Sequence, residues 1–476
     1  MRLKYASLPK VTLSAFTETG LLEKLNTILG TSYTLEIPSL SSLLDAYILK
    51  DYDFGTVFSR LRPFCYNDFT DIQDQLQSCE VWDRQMRQDV LVNNKIVSRL
   101  LPPRRVWDLY SNRVTPWWVA RQYPSAISHA WMEKEDRMDV QTPINGYEWP
   151  VPLPKDANLN LICIEMLNLG AEYVWLDVLC LRQVSEQSDD LHLDEWKLDV
   201  PTIGRVYRMA HGRLTLQEIQ HRMIIGGEVG DDNIMEKEMQ ARIENQLSWL
   251  RENSRVGGLG MPVFIALSEM QKRVSTNPVD KVAGLSYLLW TAEIPTYYAS
   301  QSQEEAWKAL ADEMNMAYRG YMFFLYPKAG NGKKRWRPSW KQAMTEALPP
   351  PQLTNGWAGF VLRTKDNDAD WCDGPCIESA YVRGFGDESP EEKRRLGELL
   401  VEDTMGGKYT FKVFAAHKYL IPEGLYTLVG SSPCDFQGKL QEQQCWVVGE
   451  RLPGGMFKKV SVFMMANKNE VKRLHE

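Results

Sequence analysis

Apolar residues are spaced differently in successive parts of the chain. Over residues 1 to about 100 they recur at helical spacing. Leu40, Leu43, Leu44, Tyr47 and Ile48 stand at i, i+3, i+4, i+7 and i+8, one face of a helix, with Ser39 placed to cap it. Residues 69–91 read as a further helix, richer in polar residues, and Pro102-Pro103 breaks the pattern. From Val106 onward, short apolar runs alternate with helical stretches. Residues 123–131 predict a strand, 150–156 a loop, and 159–169 a helix closed by Gly170. Residues 173–179 are apolar almost throughout, which predicts a strand buried on both faces, as in a parallel sheet. Strand, crossover helix and strand make a βαβ unit, so this part of the chain reads as α/β.

Further on, Ile203, Val206, Tyr207 and Ala210 predict a helix with Pro201 in its first turn. Residues 231–255 predict a long charged helix, broken by Gly257-Gly258-Leu259-Gly260, and 262–274 another helix. Trp307, Leu310, Met314 and Ala317 share one face of a single helix over 304–318, and residues 328–335 form a basic, turn-rich loop. The runs 409–414 and 445–448, set off by Pro422, Pro433 and Pro453, predict strands. The expected organisation is a helical N-terminal region over 1–105, an α/β domain over 106–290 and an α+β, β-rich C-terminal region over 291–476.

A chain of 476 residues, 44% hydrophobic and 25% charged, has the makings of an ordinary core in about three units. A net charge of -7 supplies no positive field to draw it to nucleic acid or anionic lipid. It holds no apolar run of membrane-spanning length, and Met1-Arg2-Leu3-Lys4-Tyr5-Ala6-Ser7 has no apolar h-region, so a cytoplasmic protein is expected. Eight irregularly spaced cysteines fit reduced thiols better than a disulfide framework. Sixteen tryptophans and twenty tyrosines read as core anchors rather than a platform for bases.

In an open parallel sheet, ligands bind outside the carboxyl ends of the strands. Ser128, His129 and Trp131 close the first predicted strand; Asp177 lies towards the end of the second, with Arg182 and Gln183 just beyond. If the strands are neighbours, these residues converge on one edge, where an acid, a serine, a histidine and an arginine suit a polar ribose- or phosphate-bearing ligand. On spacing alone the plainer account ranks first: Asp177 caps a turn and Ser128 satisfies backbone groups. Gly330-Asn331-Gly332-Lys333-Lys334 lacks the leading glycine of a phosphate loop, and Gly226-Gly227-Glu228-Val229-Gly230 follows no clear strand. Cys372 and Cys376 have no partner pair, so no metal and no cofactor are expected. The stretch from Lys333 to Lys341 mixes basic and aromatic residues and reads as a solvated loop flanked by packed tryptophans.

Several motifs in one order resemble the fungal heterokaryon-incompatibility (HET) domain. Tyr123 to Trp131 is similar to the family's Tyr-x-Ala-Leu-Ser-Tyr-x-Trp, and Trp175 to Gln183 to its Trp-Ile-Asp-x-Leu-Cys-Ile-x-Gln. Val206-Tyr207-Arg208-Met209-Ala210 resembles Ile-Tyr-x-x-Ala, Arg213 to Glu218 resembles Arg-x-Trp-Thr-Leu-Gln-Glu, and Asp280-Lys281-Val282-Ala283-Gly284-Leu285 resembles Asp-Lys-x-Tyr-x-Leu. The Lys333 to Lys341 stretch is similar to one common in basidiomycete HET proteins. Leu214 stands where the family has Trp, His129 where it has Tyr, Met132 where it has Gly and Ala283 where it has Tyr. The short link from Ala210 to Arg213 leaves room for one sheet strand fewer than the family pattern.

The resemblance implies a parallel-sheet domain like those of Toll/interleukin-1 receptor (TIR) proteins, flavodoxin-like in plan, and a role in non-self recognition and programmed cell death. It implies NAD as substrate, cleaved at its N-glycosidic bond. Glu218, in a helical segment, and Asp177 would be catalytic. Ser128, His129, Trp131, Arg182 and Gln183 would line the ligand site. The alternatives are a non-enzymatic scaffold that self-associates or binds an incompatibility partner, and an enzyme for another small molecule.

Overall fold

In the computed structural model, the helical period of the N-terminal stretch yields four helices: α1 (Glu18–Leu29), α2 (Pro38–Leu49), α3 (Phe54–Leu61) and α4 (Ile72–Asp89). The structure describes residues 16–65, 69–128, 135–184, 189–210, 213–215, 263–273, 275, 277–289, 291–298, 300–350, 358–364, 369–387, 394–435 and 437–475. The chain falls into two units, Met1–Glu236 and Lys237–Glu476. Helix α2 buries Leu40, Leu43, Leu44 and Tyr47, the expected face. Ser39 does not cap it. The helix starts at Pro38, whose missing N–H is harmless there, and the Ser39 hydroxyl accepts the Gln73 amide of α4 at 2.9 Å. That serine serves the first turn of a neighbouring helix, whose own N-cap residue Asp71 makes no side-chain capping bond.

A two-residue hairpin, β1 (Leu91–Val92) and β2 (Lys95–Ile96), precedes the main sheet of this unit. Its next elements are β3 (Arg105–Asp108), β4 (Arg113–Pro116), α5 (Trp117–Ala120), β5 (Ser125–Ser128), β6 (Arg137–Val140), β7 (Val151–Pro154), α6 (Leu159–Asn168), β8 (Tyr173–Leu176), α7 (Asp177–Cys180), α8 (Asp189–Asp199), α9 (Ile203–Met209) and β9 (Arg213–Thr215). The sheet runs β4-β3-β8-β5-β9. Strands β8, β5 and β9 are parallel, and β3 is antiparallel to both β8 and β4. This unit is α/β, as expected.

Three expectations change here. Residues 151–154 are a strand paired antiparallel with β6, not a loop. Pro152 and Pro154 take every second position, so the residues between them can carry the pairing of this two-stranded sheet. Residues 213–215 are strand β9, so Leu214 and Thr215, which open the motif whose Glu218 is expected in a helical segment, are strand; they take the third parallel position despite the short link from Ala210. Pro201 lies just outside α9, whose N-cap is Thr202.

Strand β8 is buried at every residue. Gly170 sets up its entry. At φ +83° it takes the left-handed turn after α6, and the Gly170 and Ala171 amides donate to Leu167 and Met166 at 3.0 Å each. The helical layer joins the sheet through buried ion pairs. Arg62, just past α3, reaches the fully buried Asp108 of β3 at 3.0 Å. Its guanidinium lies 4.8 and 4.9 Å from the ring centres of Tyr110 and Tyr173. Burial pushes the Asp108 carboxyl up, and Arg62 pulls against that. Arg113 of β4 donates to Asp53, the N-cap of α3, at 2.7 Å. Gly55 permits that approach, since a Cβ there would sit 3.1 Å from the Arg113 guanidinium carbon and the Ser111 carbonyl oxygen.

The second unit has α10 (Val263–Gln271), α11 (Asp280–Leu288), a short β10 (Ile294–Pro295), α12 (Gln303–Glu313), α13 (Met316–Phe324), α14 (Trp340–Thr345) and the hairpin β11 (Leu362–Thr364) and β12 (Ala369–Trp371). The predicted helix 304–318 is two helices. Asn315 is extended, and its side chain accepts the Ala317 amide at 2.8 Å, so it starts a new helix instead of continuing the old one. The predicted helix 231–255 and the glycines after it lie outside the described residues.

Strands β13 (Cys376–Arg383), β14 (Arg395–Glu402), β15 (Lys408–Ala415), β16 (Gly424–Gly430), β17 (Cys445–Arg451) and β18 (Phe457–Met465) close into an antiparallel barrel in the order β13-β14-β15-β18-β17-β16. Closure leaves no unpaired edge. Val382, Leu399, Phe411, Trp446 and Phe463 fill its core with Val471 of α15 (Lys468–His475). The Lys333 to Lys341 stretch is anchored on Asp370: Lys334 and Trp336 donate to it at 2.6 and 2.9 Å, and Arg319 pairs with it as well.

Removing Arg62 strands a buried carboxylate. Arg62→Met is expected to destabilise by about 3 kcal/mol, whereas Arg62→Met with Asp108→Leu costs well under the sum of the single changes; urea unfolding at pH 7 of the four forms measures this. His417 is 8% exposed, and its Nε2 sits 2.8 Å from the Val462 carbonyl oxygen. Burial lowers its pKa to about 4. The unfolded imidazole binds its proton near pH 6.5, so this contribution is intact above pH 6.5 and is lost as pH falls towards 4. Between pH 7.5 and 5 the chain is expected to lose about 2 kcal/mol at this residue. A His417→Gln variant should show a correspondingly shallower acid dependence of its urea midpoint.

Candidate functional site

The register of the parallel strands defines one level of the sheet. Ile127 pairs with Leu176 in β5 and β8, so Ser128 and Asp177 stand level at the two carboxyl ends. Ser128 pairs with Thr215 of β9. Asp177, Ser128 and the backbone of Thr215 therefore form one rung across three neighbouring strands, about 4.8 Å apart. Taken in chain order, these strands are laid down 2-1-3. Chain direction across the sheet reverses between β5 and β9, the place where open α/β sheets leave a crevice for ligands.

Asp177 does not end β8 but opens α7, a single turn. It is 4% exposed, and its carboxylate accepts the Val178 amide at 2.8 Å. The expected cap is not made: Leu176 is the N-cap of α7, no side chain caps it, and Asp177 is its first residue. Trp149 fixes the same turn from the other side: its indole N–H donates to the Val178 carbonyl at 3.3 Å. The Trp149 ring lies under two guanidiniums, with Arg105 and Arg182 at 5.2 and 5.0 Å from its centre.

Ser128 is exposed at the end of β5. Gln183 is buried, and its amide turns back to the Leu181 carbonyl at 2.9 Å. Arg182 is occupied by Glu148 at 2.8 Å and Glu195 at 3.5 Å. Glu195 also holds Arg105 through two bonds of 2.7 and 2.8 Å. Burial pushes the Glu195 carboxyl up, but Arg105, Arg104 and Arg182 outweigh that and hold it below its usual range. Arg182 and Gln183 thus serve the frame around Asp177. His129, Trp131 and Glu218 lie outside the described residues.

Tyr207 joins this edge and was not among the expected site residues. Its ring meets Trp175 edge-on, with centres 5.7 Å apart, and its hydroxyl donates to the Ile127 carbonyl oxygen at 3.5 Å. Burial, and after it the Asp177 charge, pushes its phenol up. The sign in the sequence was its place in the Val206 to Ala210 motif, which helical spacing alone reads as core. A cavity of about 610 Å³ in this unit lies on the antiparallel flank against Arg87, Arg104 and Arg105. Those arginines are matched by Asp83, Asp199 and Glu195 at 2.9, 2.7 and 2.7 Å, which leaves little net charge to recruit an ion. Among the described residues no cluster of His, Cys, Asp or Glu could hold a metal ion, and no helix is long and apolar enough to cross a membrane.

Glu195→Gln should leave Arg105 and Arg182 short of an anion and destabilise the chain by about 2 kcal/mol at pH 7, read by urea unfolding. The loss should shrink as pH falls through the ordinary glutamate range towards the lower folded value, since the unfolded carboxylate then binds its proton before the folded one does.

No curated protein and no solved structure matches the chain. Residues 125–275 match the family model described as Heterokaryon incompatibility protein (HET), a match that starts at the first residue of β5 and takes in all three parallel strands. The chain thus carries, over residues 125–275, a domain similar to the heterokaryon incompatibility family.

Proposed function

We propose that this protein acts in heterokaryon incompatibility-type non-self recognition in a fungus, leading to programmed cell death, and that its α/β sheet is TIR-like and hydrolyses NAD at its carboxyl edge. The observation that carries the reading is the single rung of Asp177, Ser128 and Thr215 at the point where chain direction reverses. A ribosyl ligand in that crevice would meet a serine hydroxyl beside a fixed carboxylate. Glu218, three residues after Thr215 in the sequence, is the carboxylate assigned to the oxocarbenium-like state of N-glycosidic cleavage. Asp177 would hold ribose hydroxyls, with Arg182, Gln183 and Trp149 keeping its turn in place. His129 and Trp131 are assigned to the ligand site on their motif positions.

The second reading is a non-enzymatic scaffold. What favours it is the exposed apolar residues on the barrel, where Leu425, 69% exposed, pairs across strands with Tyr381. NAD consumption by the purified full chain at high protein concentration, beside Glu218→Gln, separates the two. Turnover that falls at least a hundredfold in the variant is expected. Equal turnover in both forms rejects Glu218, and none in either rejects the hydrolase reading and favours the scaffold.

A further inference from the structure

The cleft of about 610 Å³ on the antiparallel flank is ligand-sized, and it lies between α4, α8, the start of β3 and the end of β4. Strand register fixes its place. Trp107 pairs with Val174, and the same antiparallel register brings Arg105 level with Leu176 and Arg104 level with Asp177. Arg105 pairs with Pro116 of β4, which also lines the cleft. Pro116, Arg105, Leu176 and Ile127 therefore share one level of the sheet. The cleft lies at the same sheet edge as Asp177 and Ser128, two to three strands from β5, about 10–14 Å.

Its wall is a chain of ion pairs. Asp83, Arg87, Asp199, Arg104, Glu195 and Arg105 follow one another at 2.9, 3.7, 2.7, 4.0 and 2.7 Å. A phosphate entering here would meet carboxylates as well as guanidiniums, so the cleft favours an uncharged ligand. What the wall offers is hydrogen bonds and flat faces. A guanidinium carries five N–H donors. Arg104 directs Nε and one terminal nitrogen at Asp199, at 2.7 and 3.1 Å, and its side chain is 24% exposed. Its planar face can stack on a ring. Gln88 stands exposed among the lining residues, and a glutamine amide fits the amino group and ring nitrogen of adenine with two bonds.

We propose that this cleft binds a purine nucleoside, the adenosine end of the dinucleotide whose other end meets Asp177 and Ser128. This rests on the NAD reading of the sheet edge and adds a second subsite to it. A dinucleotide is long enough to span the two. A contact remote from the cleaved bond acts alike on ground and transition states, so it is read in KM.

The test uses the full chain and measures adenosine binding by titration calorimetry, with NAD as competitor, beside NAD kinetics. Gln88→Trp fills the cleft from an exposed helix position. Arg104→Lys keeps a charge beside Asp199 and removes the planar face. Expected is adenosine binding that NAD displaces and that weakens about tenfold in each variant. The KM for NAD should rise as much, with kcat within about twofold. Glu218→Gln should bind adenosine as the wild type does. Thermal unfolding checks each form, and Gln88→Trp keeps the test readable if Arg104→Lys is unstable. Adenosine that fails to bind, that binds the Gln88→Trp form equally well, or that NAD does not displace overturns the proposal. If NAD displaces adenosine but is not consumed, the hydrolase reading fails and the nucleoside site stands.

Discussion

The carboxylate of Asp108 has no exposed surface, and a buried charge is tolerated only beside a partner that returns its lost hydration. Arg62 is that partner. It arrives from the end of α3, lies between the rings of Tyr110 and Tyr173, and also reaches Glu172 at 3.3 Å. One guanidinium thus touches the helical layer, the antiparallel strand β3 and the residues that open β8. Nothing apolar could replace it without rebuilding Asp108 as well. The N-terminal helices are in this sense part of the sheet's construction, although the family match begins only at residue 125.

From that join the geometry runs on to the candidate site. Strand β3 holds β8 through Trp107 and Val174, and β8 holds β5 and so β9. Because β8 is buried on every residue, it cannot slip by one place without moving the following acid off its rung. Trp149 closes the arrangement by tying the α7 turn to the β6–β7 side of the unit. The charged residues around it are mutually paired, and Asp177 and Ser128 stand level at the carboxyl ends of their strands. The second unit manages its polar burial differently. Lys459, 2% exposed, donates to the Phe323 and Tyr326 carbonyls at 2.6 and 2.7 Å, at the negative end of α13. Burial lowers its pKa well below that of an ordinary lysine.

Much of the fold was legible along the chain, and the failures have physical causes. Helix α2, α6 with its Gly170 cap, and the strands around Phe411 and Val447 follow from spacing and turn residues. Strand β7 was hidden by its prolines, since the propensity of Val151-Pro152-Leu153-Pro154 says loop and only the pairing with β6 says strand. The break at Asn315 was hidden because Met314 and Ala317 keep the helical apolar period across it. Leu214 and Thr215 belong to a motif that the resemblance places in a helical segment, and an available edge beside β5 made them strand. Ser39 had the right chemistry for a cap and the wrong helix.

By itself the sequence determined which residues must be buried, where the chain turns and which polar groups end the apolar runs, because these depend on local chemistry and on periods of 2 and 3.6. It therefore named Ser128 and Asp177. It did not determine that β8 and β9 would flank β5, that Ser128 would fall level with Asp177, or that Tyr207 would reach the Ile127 carbonyl from α9. Those are matters of register and of packing between residues as many as 87 positions apart in the chain, Ser128 to Thr215. Only the folded sheet decides them, through the pairing of its strands and the burial of Trp175 beneath Tyr207.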